Sequence, residues 1–466
     1  MANSGIKKNL AYALGAEGLQ LLQSILMSLI IPKILGVEQF GFWQLFIFYT
    51  SYGGFFHLGL LDGIYLKTGG KHSLEVNFIQ LAAQLKILFL WLVFILTPIA
   101  LWGLSNNDYN RKIVIVSSCI YIILFNVLTY HSYLLQCIND IKSYSLGRFI
   151  DMACFICGLI ILLIGRIDFF FPYILVYFVA KLISLVYYGK RLELLWKNII
   201  IRINNQVFVE TIDNIKIGVN LLASNIASIL VLGIGRWMVD KEWGIESFSK
   251  ISFSLIFVNF FLMFIQQASM VLFPDLRRRS DAQLESIYDR MKKAIQCIIP
   301  IVMLSYLPFV LLIESWLPKY SDSILYLIYL LPMCCFDTKM QLIYNTMFKV
   351  KRMEKKMLLC NVLSLLASTS FIFIAVYLFN SITCVVISMF CAIMFRSVLA
   401  EYMVERKMDL PFRSLLLDLL PELMTIGVFI FFLNIFGTYL GWSVYFGFVI
   451  LYVVINYSKY KTVIKR

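Results

Sequence analysis

The side chains with most chemistry to offer in this 466-residue sequence are charges set inside long apolar runs. Arg236, Arg396, Lys339 and Lys86 each sit within such a run, as do Glu17 and Asp62. A lone Asp, Lys or Arg at the middle of a membrane helix costs about 2.5–3.5 kcal/mol on insertion scales, so each needs a reason to be there. An Arg fork matches phosphate oxygens in shape and charge, and a Lys ammonium adds a point charge. The four cations together would offer positive potential to a diphosphate. Glu17 and Asp62 are protonatable and would carry a coupling H+ or Na+. A plainer role stays open for every one of them. The cations would pair between helices with Glu17, Asp62, Asp151 or Asp337, and Asp62 would cap the end of its helix beside His57. Asp337 and Lys339 are two apart on a helix and do not face each other, so each needs a separate partner. Lys33 and Glu314 lie at span ends and can snorkel.

These charges belong to polar stripes. Glu17, Gln20, Ser24 and Ser28 follow helical spacing and share one face. A shift of 208 residues puts Glu17 on Asn225, Gln20 on Ser228 and Ser28 on Arg236. Lipid-facing surfaces do not carry such stripes, so the faces point into protein or a wet cavity. A stripe of this kind can also join two packed helices with no cavity between them.

Other chemistry is missing. No Asp-x-Asp occurs for a metal-dependent glycosyltransferase, and Gly69-Gly70-Lys71-His72-Ser73 lacks P-loop spacing. Cys154 and Cys157 form a C-x-x-C in an apolar segment without a second pair, and none of the three His lies near a Cys. The ten Cys read as small hydrophobes, and no metal or other cofactor is implied beyond the coupling ion.

The elements that must position these residues follow from composition. Sixty-one per cent of the residues are hydrophobic (61%) and 15% are charged, against about 45–50% and 25% in soluble domains. A soluble fold would leave that apolar surface uncovered, and disorder is excluded by the aromatic and aliphatic content. The apolar run after Lys8 is too long for a signal core of about 7–15 residues and reads as a first span. Spans of about 20 residues are expected near 9–35, 43–66, 78–103, 113–136, 149–165, 168–188, 215–239, 251–274, 294–316, 323–347, 357–378, 383–404, 421–439 and 442–458. With the N-terminus inside, the outer loops hold only Arg111, Lys112, Arg166, Lys241, Lys250 and Lys319. Lys33, Lys86, Lys181, Arg236, Lys339 and Arg396 lie in spans, and the rest of the 41 Lys and Arg fall inside. That bias places both termini in the cytoplasm. It also accounts for most of the +14 charge without nucleic acid. Arg277–Arg278–Arg279 reads as topology plus attraction to anionic lipid. In-plane amphipathic helices are expected in 189–214 and at Phe412–Leu420.

Span one ends in Lys33-Ile-Leu-Gly36-Val37-Glu38-Gln39-Phe40-Gly41, and span seven in Lys241-Glu-Trp-Gly244-Ile245-Glu246-Ser247-Phe248-Ser249. The same 208-residue shift aligns Lys33, Gly36, Glu38 and Phe40 with Lys241, Gly244, Glu246 and Phe248. Repeats six spans apart start on the same side, so they are parallel. The expected fold is all-α and polytopic, with about 14 transmembrane helices. It holds two six-helix bundles related by a parallel repeat around a central cavity, plus a C-terminal helix pair. The expected parts are 1–188, a cytoplasmic linker 189–214, 215–405, and a helix pair with cytoplasmic tail 406–466.

The run Pro32-Lys33-Ile34-Leu35-Gly36-Val37-Glu38-Gln39-Phe40-Gly41-Phe42-Trp43 resembles the first-span signature of Wzx-type polysaccharide-biosynthesis flippases. His57-Leu-Gly-Leu-Leu-Asp62-Gly63, Gly235-Arg236-Trp237-Met-Val-Asp240, Leu331-Pro332, Phe348–Arg352 and Glu354–Lys356 are similar to the same family, in order along the whole chain. That family belongs to the multidrug/oligosaccharidyl-lipid/polysaccharide superfamily. The resemblance implies a transporter, not an enzyme. It would move an undecaprenyl-pyrophosphate-linked repeat unit across the bacterial inner membrane for O-antigen or capsule assembly. The implied partners are that substrate, inner-membrane lipids, and the polysaccharide polymerase and chain-length regulator of the pathway. The cavity residues would be Arg236, Arg396, Lys339, Lys86, Gln20, Ser28, Asn225 and Ser228, with Glu17 and Asp62 for ion coupling. Some relatives carry the two extra apolar runs read at 421–458.

Two other readings remain. A drug/cation antiporter of the same fold would need no lipid-diphosphate site, and a lipid II flippase is a close variant of the first. A membrane polysaccharide polymerase would carry a large periplasmic loop rich in Arg and His. Here the longest loop, 189–214, is expected in the cytoplasm.

Overall fold

The computed structural model describes residue 19 and residues 22–69, 76–198, 204–276, 279–408 and 412–456. Every regular element among them is a helix. Among the described residues, eleven helices are long and apolar enough to cross a membrane. They are α1 (Leu22–His57), α2 (Phe78–Leu104), α3 (Tyr109–Cys137), α4 (Ile141–Ile164), α5 (Phe170–Arg191), α6 (Asn205–Met263), α7 (Gln283–Trp316), α8 (Ser323–Val350), α9 (Glu354–Tyr377), α10 (Ile382–Lys407) and α11 (Leu419–Ile455).

Eleven and the expected fourteen differ for a physical reason. Three of the helices contain one glycine with non-helical backbone: Gly36 in α1 (φ 69, ψ −179), Gly244 in α6 (φ 82, ψ −177) and Gly437 in α11 (φ 75, ψ −178). Each break makes two stretches of one helix. Sixteen residues of straight helix would separate their ends by about 24 Å. Yet Arg236 Nη2 lies 2.9 Å from Ser252 Oγ, and the Phe429 and Tyr445 rings are 5.0 Å apart. Both pairs are placed symmetrically about a glycine, so the chain doubles back at Gly244 and at Gly437. Gly36 has the same backbone angles. The residues matched by the 208-residue shift, Gly36 and Gly244, are therefore one-residue turns between spans.

The chain forms two compact units, Met1–Ile226 and Ala227–Arg466. In the first, span two is interrupted. Its helix gives way to a 3-10 turn at Gly53–His57, then Leu58 (φ 53) and Gly59 (φ 89), and resumes as Leu60–Thr68. Freed backbone groups must be bonded again inside a bilayer. Asn126 Nδ2 donates to Gly53 O at 2.9 Å, Trp91 Nε1 to Phe56 O at 3.0 Å, and the Gly59 N–H to His57 Nδ1 at 3.1 Å. Leu60, Ile64, Leu85, Leu88 and Leu92 bury around this break with Ile122, Tyr130 and Leu134.

The break also lets two backbones meet. A Cβ on Gly63 would stand 1.8 Å from Asn214 O, and one on Gly218 2.0 Å from Gly59 O. Small residues permit this approach between membrane helices. Gly63→Ala is expected to destabilise by about 1–3 kcal/mol, because the obstacle is backbone and cannot rotate away. Thermal melting of the purified variant checks this, and a wild-type melting temperature would refute the close approach.

In the second unit, Pro332 lies within α8, and the backbone turns from α-helical to π-helical at Met340–Tyr344, directly after Lys339. The first arm of α11 packs on this region through Glu422. Outside the spans, a hydrogen bond from Lys351, reinforced by its charge, holds the exposed Asp281 carboxyl below its ordinary range.

Candidate functional site

The second unit holds a buried network of charges drawn from four helices. Lys339 Nζ on α8 donates to Glu401 Oε2 on α10 at 3.0 Å, and to both carboxylate oxygens of Glu422 on α11 at 3.0 Å. Lys292 on α7 lies 2.6 Å from Glu401 Oε1 and 2.7 Å from Glu405 Oε1. Tyr344 donates to Glu401 at 2.6 Å and Tyr288 to Glu405 at 3.2 Å. All five charged residues are at most 3% exposed. Local backbone explains part of the fit. A π turn bonds residue i to i+5, so Lys339 and Tyr344, five apart, reach the same Glu401 oxygen.

Asp337 points elsewhere. Its carboxylate pairs with Arg396 of α10 and accepts from Gln341 Nε2 at 3.0 Å. Arg396 Nη1 also donates to Ser228 Oγ at 2.7 Å. Thus Asp337 and Lys339, two apart in sequence, take separate partners. Of the candidate cavity residues, the structure brings Arg396 and Ser228 together and sets Lys339 in the neighbouring network.

Pairing between helices, the plainer role left open for these cations, is seen for Arg396 with Asp337. Arg396 and Lys339 do not present open positive charge, because buried carboxylates already match them. Taking such a charge out of water is tolerated only when a partner and further hydrogen bonds compensate it. Lys181 is likewise paired with Asp151. Arg236 is half-buried, bonded to Ser252 and 5.0 Å from the centre of the Phe248 ring. Lys86 on α2 is half-buried, and no carboxylate of the described residues lies within ion-pair distance.

Ser28 is buried and donates to Ser24 O in its own helix, while Asn225 is exposed. Asp62 is buried, in the first turn of Leu60–Thr68, with His57 Nε2 4.0 Å away. Glu17 and Gln20 lie outside the described residues, as do Arg277 and Arg278. Among the described residues, no group of three or more His, Cys, Asp or Glu could hold a metal.

Sequence reasoning missed Lys292, Glu401, Glu405 and Glu422. Lys292 counted as an inner-side topological cation, and the three glutamates sit near span ends where charge is cheap. One signal was present. Glu401 and Glu405 are four apart, so they share a helix face, and that face belongs to a span.

No family model matches the chain, and no curated protein matches it. Solved structures do. A lipid II flippase, MurJ in an inward closed conformation, superposes with a TM-score of 0.64 at 13% identity, over 98% of this chain and 100% of that one. An inward-facing multidrug resistance MATE family transporter of the MOP superfamily gives 0.55 at 12% identity, over 82% and 98%. A MATE protein in complex with MaL6 gives 0.55 at 12% identity, over 86% and 94%. The chain therefore has the helical fold of MOP-superfamily transporters.

Proposed function

We propose that the chain is a bacterial inner-membrane transporter that flips an undecaprenyl-pyrophosphate-linked oligosaccharide repeat unit to the periplasmic leaflet. The cycle is alternating access, and the product feeds O-antigen or other surface-polysaccharide assembly. The observation that carries this reading is the extent of the structural match. The lipid II flippase corresponds over 98% of this chain, whereas the MATE structures correspond over 82% and 86%. A drug antiporter needs no counterpart to the remainder, while a lipid-saccharide carrier of full length is matched throughout. The ordered motifs around Gly36, Asp62, Arg236 and Lys349–Lys356 support the polysaccharide branch.

Within this reading Arg236, on the repeated polar face with Ser228, is assigned to the diphosphate. A hydrogen bond to a charged group contributes about 1.5–3 kcal/mol. Arg236→Ala should therefore slow translocation roughly tenfold to a hundredfold, at about 1.4 kcal/mol per tenfold. Proteoliposomes loaded with the lipid-linked repeat unit, or with a cationic dye, provide the test. Transport of the saccharide lipid alone is expected. Efflux of the dye without saccharide flipping would replace this proposal with the antiporter, and wild-type flipping by Arg236→Ala would remove Arg236 from the site.

A further inference from the structure

Among the described residues, the terminal hairpin α11 reaches the ammonium groups of the buried network through Glu422. The charges alternate in order Glu405, Lys292, Glu401, Lys339, Glu422, drawn from α10, α7, α10, α8 and α11. Glu401 is met by two ammonium groups. Glu422 has Lys339, and shares it with Glu401. We propose that Glu422 is a proton-binding carboxyl that trades its ion pair with Lys339 for a proton, untying the terminal hairpin from the buried charges while Trp442 and Tyr445 keep it on α7.

The surroundings of Glu422 fit that exchange. From α7, Gln296 hydrogen-bonds it, with Tyr288, Lys292 and Cys297 on the same helix. From α8 come Lys339, Tyr344 and Cys335, while Asp337 is turned away onto Arg396. From α10 come Glu401 and Glu405, and from the second arm of α11 comes Tyr452. As a carboxylate, Glu422 holds Lys339 through both oxygens. Once protonated, one oxygen carries hydrogen and is a much weaker acceptor, and the carboxyl no longer has a charge to match the ammonium. The charge-assisted two-point contact ends, and with it the ion pair that ties α11 to Lys339. Lys339 stays matched, because Glu401 remains at 3.0 Å. No other bond is made or broken, and the proton comes from water. Glu405, two residues before the end of α10 at Lys407, marks the network's side nearest the expected cytoplasmic face. Only the use of this step in a transport cycle rests on the flippase reading.

Infrared titration of the full-length protein in lipid nanodiscs tests the site. A protonated-carboxyl stretch should appear as pH falls in the wild type and be lost in Glu422→Gln. In Glu401→Gln, Lys339 serves Glu422 alone, so the band should move to lower pH. A band that persists in Glu422→Gln, or a wild type without a titrating carboxyl, overturns the proposal. If Glu422→Gln does not fold, the Glu401→Gln shift decides, and no shift or an upward one overturns it. In proteoliposomes, flipping by Glu422→Gln should lose its response to an imposed pH gradient. A titrating band in a protein that moves no lipid-linked saccharide supports the proton site and sinks the flippase reading instead.

Discussion

Lys339→Met is expected to lower the stability of the folded protein by about 3–5 kcal/mol, the cost of stripping a buried charge of its partner. Met keeps the apolar stem of Lys and removes only the ammonium, so lost packing is a small part of the effect. The variant leaves Glu422 with no ammonium among the described residues, and Glu401 with Lys292. Glu422 is 3% exposed, so water cannot take over. The companion is Lys339→Met with Glu422→Leu. Removing both members of a buried pair is often neutral, because the desolvation cost of both charges disappears with their attraction. The double variant should therefore recover most of the loss. Thermal unfolding in detergent for the two singles and the double measures this as a cycle. A double variant no more stable than Lys339→Met would show that Glu422 is not the stranded charge.

How much of this was legible in the sequence depends on what each residue's neighbours reveal. The all-helical membrane fold follows from the length and number of apolar runs, since lipid forces every backbone group to bond within its own helix. The buried cations Lys339 and Arg396 stood out because charge in a span is costly, and Asp337 stood out with them. Asp337, the partner of Arg396, was thus within reach of the sequence, but the partners of Lys339 were not. Glu401, Glu405, Glu422 and Lys292 lie toward span ends, where local sequence cannot distinguish a solvated charge from a buried one. Only the packing of four helices decides that. The π turn after Lys339 left no mark either, because Met340–Tyr344 has no residue that α-helix would refuse.

The glycine turns divide the same way. Gly36 and Gly244 were found as a match because Lys, Glu and Phe repeat around them. Phe248 has a visible use, lying beside Arg236. Gly437 has the same backbone angles without that flanking pattern, so residue identity could not find it.

Those three glycines yield the second large prediction. Gly36, Gly244 and Gly437 each combine φ near +75 with extended ψ. An L side chain is strained there, and such positions cost about 1–3 kcal/mol each. Nothing lies within 4 Å of a Cβ built on any of them, so the penalty is purely conformational. Changes at separate turns should add, and the triple Ala variant should lose about 3–9 kcal/mol on that reckoning. Asn should not rescue any of the three. It tolerates the left-handed helical region, where ψ is near +47, but these turns have ψ near 180. Gly427 supplies the control. It has equally open space, but its helix is interrupted only at Gly437. Gly427→Ala should therefore raise stability by up to about 1 kcal/mol. Thermal unfolding of the four single Ala variants and the triple reads out the contrast. If Gly244→Ala melted with Gly427→Ala at or above the wild type, the one-residue turn could not be what reverses the chain there. The doubling back that brings Ser252 to Arg236 would then need another cause.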